Sequence, residues 1–89
     1  MASSEKSKKL TPRSPEWAEF GQRLAGLRER RGLTREELAD ELGTTRMSVY
    51  RVERGITPLT LGRIKEWSAA LGASSKPLSK LALRALEAE

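Results

Sequence analysis

Between Thr34 and Gly55, apolar residues recur at helical spacing on both sides of a single glycine, and this segment constrains the fold more than any other. Leu38, Ala39 and Leu42 give one short helix an apolar face. Gly43 ends that helix at a position suited to positive φ, a conformation glycine adopts without the penalty a Cβ brings. Thr45 can cap a second helix whose inward face is Val49 and Val52. The outward face is then Arg46, Met47, Tyr50, Arg51 and Arg54. A helix that is apolar inside and arginine-rich outside suits the major groove of double-stranded DNA.

The flanks supply further helices. Ser14-Pro15-Glu16 is a helix start, with a cap, a proline in the first turn and an acid beside it. The helix runs to about Arg31 with Trp17, Phe20, Leu24 and Leu27 on one stripe, and Gly32 stops it. The Trp17–Phe20 pair shares that stripe, which points to core packing rather than to a ligand box. Thr34 and Glu37 make the S/T-x-x-E capping box of the next helix. After the loop Ile56-Thr57-Pro58-Leu59, Thr60 can cap a fourth helix with Leu61, Ile64, Trp67 or Ser68, and Leu71 facing inward, ended by Gly72. A fifth helix follows, with Ser74 or Ser75 as cap and Leu78, Leu81, Ala82, Ala85 and Leu86 on one stripe. Leu83 lies off that stripe, so the helix is apolar on more than one side. The expected fold class is all-α, a compact bundle of four to five short helices.

The strings LRERRGLTREELADELG and TTRMSVYRVERG, followed by a helix ending in ALG, resemble the helix-turn-helix of Cro/cI-type phage repressors, the XRE family, over about residues 16 to 72. Ala39, Gly43 and Val49 fall at the spacing of that motif. The resemblance implies a lambda-repressor-like DNA-binding domain. It further implies a structural ion pair between Arg28 and Glu53, and it places Arg35 where relatives fix the first motif helix against the DNA backbone. Relatives commonly pair through their C-terminal region, which implies a homodimer. Many carry a polar residue at the position of Met47, so this chain departs from them there. Three segments are expected: a disordered basic arm at 1–13, a DNA-binding domain at 14–72 and a C-terminal helix at 73–89 with a possible dimer contact. The helix-turn-helix lies at 35–54 and its recognition helix at 46–54.

Charge and composition agree with a polyanionic partner. Seventeen Lys and Arg against twelve Asp and Glu give a net charge of +5 in 89 residues. Cysteine and histidine are both absent, which removes disulfides, thiolate metal sites and the commonest general base. No nucleophile–base pair or phosphate-cradling glycine loop is recognisable, so an enzyme, a cofactor and a metal are not expected. No long apolar run or signal-peptide core is present, so a membrane partner is not expected and a cytoplasmic location is, on the nucleoid when bound to DNA. The arm carries Lys6, Lys8, Lys9 and Arg13 against Glu5, and it either follows the DNA or is a solvated tail.

The residues divide between the two tasks of DNA recognition, holding the backbone and choosing bases. Base readout is expected from Arg46, Met47, Tyr50 and Arg51. Arg46 or Arg51 can donate two hydrogen bonds to guanine, and Met47 can meet a thymine methyl. Backbone contact is expected from Thr34 and Arg35, from Thr45, from Ser48 and from Arg54. The two threonines stand at helix N-termini, where free N–H groups and the helix dipole favour phosphate. Ser48 either reaches a phosphate or bonds back to its own helix. The expected function is a transcriptional regulator of repressor type, a homodimer on an inverted-repeat operator with half-sites roughly 34 Å apart. The alternatives are an antitoxin that pairs with a toxin partner and binds its own operator, and a protein-interaction module without DNA readout.

Overall fold

The computed structural model describes residues 11–89. These residues form five helices, α1 (Pro15–Arg30), α2 (Arg35–Leu42), α3 (Arg46–Glu53), α4 (Leu61–Leu71) and α5 (Ser75–Ala88). Local chemistry sets most of their ends. The Ser14 hydroxyl accepts from the Trp17 N–H at 3.1 Å at the start of α1. Thr34 and Glu37 close a reciprocal capping box on α2. Thr45 and Thr60 accept from the N–H groups of Ser48 and Arg63 at the starts of α3 and α4. Gly43, with φ 69°, turns the chain from α2 into α3 in the left-handed conformation. Ser74 occupies the cap position of α5 but makes no side-chain cap bond.

All five helices enclose one core. Trp17, Phe20 and Leu24 of α1 meet Leu38 and Ala39 of α2, Val49 and Val52 of α3, Ile64, Trp67 and Leu71 of α4, and Leu78, Ala82 and Ala85 of α5. Trp17 and Phe20 pack edge to face, with ring centroids 5.3 Å apart. α1 lies against α5 and α3, α2 against α3 and α4, and α4 against α5. Gly21 lets α1 approach the end of α3, since a Cβ there would fall against the carbonyls of Val52 and Glu53. Gly55 does the reverse from the α3 side, with φ 76° and no room for a Cβ against Ala18.

Two sequence expectations change. Leu61 is 61% exposed rather than inward, because it is the first residue of α4 and precedes the turn that packs on α2. Leu86 is 52% exposed. The buried line of α5 is Leu78, Ala82 and Ala85, whose small alanines seat the helix close to its neighbours, and Leu86 stands about 100° round from Ala85. Together with Leu83, 54% exposed, it gives α5 an uncovered apolar flank.

Residues 1–10 of the expected arm lie outside the described residues. Where the chain enters the fold, the Arg13 N–H donates to the Gly55 carbonyl at 2.8 Å. The Arg13 Nε and the Trp17 Nε1 both donate to one oxygen of Glu89, at 2.9 and 2.8 Å. The hydrogen bond from Arg13, followed by that from Trp17, holds the Glu89 carboxyl below its ordinary range, and the same contact raises Arg13. The start of α1, the end of α5 and the turn after α3 are thus tied at one point.

Candidate nucleic-acid interface

The inward face of α3 is fixed by burial: Val49 is fully buried and Val52 nearly so. That anchoring turns Arg46, Met47, Arg51 and Arg54 to solvent, with Tyr50 half-buried among them. No acid stands in the first turn of α3, so the outward surface of this helix is cationic.

The orientation of α3 against α1 and α2 is braced by an ion cluster. Arg28, buried on α1, donates from Nε to Glu53 Oε2 at 2.6 Å and from Nη2 to Oε1 at 3.2 Å. Its Nη1 donates to the Leu33 carbonyl at 2.8 Å, so the guanidinium also pins the turn before α2. Arg35 reaches the same carboxylate, with Nε donating to Glu53 Oε1 at 2.8 Å. One acid at the end of α3 therefore receives arginines from both preceding helices. A doubly neutralised, hydrogen-bonded carboxylate is the form in which a buried charge is tolerated.

This cluster gives Arg35 a structural partner on α3. Its guanidinium also lies over the Tyr50 ring, 5.2 Å from the centroid. The side chain keeps 40% exposure, so part of it remains open beside α3. Arg35, Arg46, Met47 and Tyr50 line one recess beside the outward face of α3.

The helix N-termini differ in what they offer an anion. At α2 the Glu37 carboxylate takes the Thr34 N–H at 2.8 Å, and Glu36 and Glu37 both stand in the first turn. Those acids favour the helix dipole and compete with an incoming phosphate. The first turns of α3 and α4 contain no acid. At α3 the Thr45 hydroxyl accepts from the Ser48 N–H at 3.1 Å and donates to the Ser48 Oγ at 3.0 Å, so the two hydroxyls engage each other.

Between α3 and the start of α4 lies a cleft of about 360 Å³, lined by Thr44, Ser48, Arg51, Thr57, Thr60, Arg63 and Trp67 among others. Trp67 is 2% exposed, and its Nε1 is the one buried side-chain polar atom without a partner among the described residues. Thr57, Thr60, Arg63 and Trp67 were not among the candidate contact residues read from sequence. Arg63 carried a usable signal: a cation in a helix's first turn opposes the dipole. The cleft itself depends on where the loop after α3 and the start of α4 lie beside α3, which local sequence does not encode. It also separates Arg51, which faces it with Ser48, from Arg46, Met47 and Tyr50, which share the other recess.

Among the described residues no helix is long and apolar enough to cross a membrane. No curated protein sequence matches the chain. Residues 19–81 match a family described as a helix-turn-helix domain. Among solved structures, the chain is similar to the restriction-modification controller protein C.AhdI from Aeromonas hydrophila, with 38% identity and a TM-score of 0.66 over 71% of this chain and 91% of that one. The braced α2–turn–α3 pair, its cationic outer face and these two matches place the chain in the helix-turn-helix domain family, as a DNA-binding protein of the Cro/cI type.

Proposed function

We propose that the protein regulates transcription by binding a specific operator as a homodimer, with α3 in the major groove. The observation that carries this reading is the α3 surface: Val49 and Val52 are buried, and Arg46, Met47 and Arg51 are exposed. Arg46, Met47 and Tyr50 read base edges from the recess they share. Arg51 lies at the boundary, able to reach either a guanine or the phosphate beside Ser48. Thr45, Ser48 and Arg54 serve the backbone, with Thr34 and Arg35 in a lesser role because Glu36 and Glu37 flank that helix start. Thr57, Thr60 and Arg63 add backbone contacts at the acid-free start of α4.

The uncovered flank of α5, Leu83 and Leu86, supports pairing of two chains through their C-terminal helices. A twofold pair matches an inverted repeat with half-sites roughly 34 Å apart. Likeness to a controller protein supports action on transcription, and a dimer seated over a promoter acts as a repressor by excluding polymerase.

Selection of bound duplexes from a random library tests the reading. A recovered inverted repeat, bound by two chains, is the expected result. Recovery of no enriched sequence, or of an asymmetric site bound by one chain, would contradict it.

A further inference from the structure

Met47 is the anomaly of the readout surface. It is 47% exposed on a helix face otherwise made of arginines and a tyrosine, and a thioether offers no hydrogen-bond pattern to a base. The structure gives this exposure a shape. Met47 and Tyr50 form the apolar part of a recess of about 200 Å³, framed by Arg46 and Arg35. The Arg35 wall is fixed in advance by two contacts, the 2.8 Å bond of its Nε to Glu53 and its position 5.2 Å from the Tyr50 ring centroid. Glu53 is itself held by the buried Arg28. The recess is therefore built before DNA arrives, and it stands beside Arg46, the arginine that opens α3.

Resting on the reading of α3 as the major-groove helix, we propose that this recess is a selectivity pocket for the C5-methyl group of a pyrimidine, adjacent to the base read by Arg46. In the major groove the C5-methyl is the apolar feature of the base-pair edges, and an apolar slot between cationic walls discriminates for it. Arg35 acts as a positioning residue that sets the Tyr50 wall. Two bases present this group, thymine and 5-methylcytosine. The pocket reads the methyl itself, so binding responds to cytosine methylation wherever a cytosine occupies that step.

The test uses the full chain and the duplex recovered by selection. Each thymine of one half-site is replaced in turn by deoxyuridine, which removes only the methyl group. Each cytosine is replaced by 5-methylcytosine, which adds one. At one position per half-site, affinity falls about fourfold for uridine, the value of one CH₂-sized group withdrawn from water, or rises about fourfold for 5-methylcytosine. Met47→Ala, an exposed position that leaves the core intact, reduces that ratio to within about twofold while the remaining positions respond as before. Equal affinity for methylated and unmethylated pyrimidines at every position overturns the pocket and leaves the DNA-binding reading standing. A methyl effect that persists in Met47→Ala also overturns it. Failure to recover any bound duplex overturns both.

Discussion

Gly21 and Gly26 lie on the same helix five residues apart, and the same substitution at each should move stability in opposite directions. A Cβ at Gly21 would lie 2.6 Å from the Val52 carbonyl oxygen and 2.6 Å from the Glu53 carbonyl carbon, and in direct collision with the Glu53 oxygen. All three atoms are backbone and cannot swing aside, so α1 and the end of α3 must separate. Overpacking of this kind costs about 1–3 kcal/mol. Replacing a mid-helix glycine by alanine returns about 0.5–1 kcal/mol. Gly21→Ala should therefore lose about 1–2 kcal/mol net, which for a domain this small lowers Tm by about 5–15 °C. A Cβ at Gly26 meets nothing within 4 Å. Gly26→Ala should gain about 0.4–1 kcal/mol and raise Tm by a few degrees. Thermal unfolding followed by helical circular dichroism reads both. The shift at Gly21 should also displace Glu53 and weaken DNA binding, whereas Gly26→Ala should bind as the parent does. Equal or greater stability for Gly21→Ala than for Gly26→Ala would refute the close α1–α3 approach on which the placement of α3 depends.

Glu53→Ala should cost about 3–5 kcal/mol, because it strands the buried Arg28 guanidinium, while Arg35→Ala should cost at most about 1 kcal/mol from its half-exposed contact. Urea unfolding of the two variants distinguishes them, and equal losses would show that the carboxylate does not serve Arg28 first. Arg63→Ala should weaken binding to all duplexes alike and reduce the slope of log K against log salt by about one. Glu89 is held below its ordinary range by Arg13 and then by Trp17, so its contribution is fully present above the ordinary carboxylate value and is lost as pH falls through the depressed one. In a Trp67→Phe background, Trp17 emission should change over that acid window and stay flat in Glu89→Gln.

Much of this fold is written in single residues. Ser14, Thr34, Thr45 and Thr60 cap the helices they precede, and Gly43 and Gly72 end them, because a cap needs only a side-chain oxygen and a stop only a left-handed backbone. The apolar stripe of α1 likewise survives into the core. What local sequence could not supply was direction between helices. Periodicity placed Leu61 on an inner face without knowing that the first residue of α4 stays exposed, and it placed Leu86 on a stripe without knowing that Ala82 and Ala85 would be its centre. Arg28 and Glu53 were paired by family resemblance, but the attachment of Arg35 to the same carboxylate was not foreseen. That contact depends on the angle between α2 and α3. The cleft around Trp67 and Arg63 was hidden for a related reason, since its walls come from α3, the loop after it and the start of α4, and their relative placement is a tertiary property.

The central claim is that α3 selects bases through Arg46, beside a backbone grip made elsewhere. The most direct measurement is the affinity of Arg46→Ala for the selected duplex and for a scrambled one at a single salt concentration. The account predicts a loss of about 1–3 kcal/mol on the selected site with little change on the scrambled duplex, so that preference between them collapses. Equal losses on both duplexes would contradict it, because Arg46 would then hold phosphate rather than read a base.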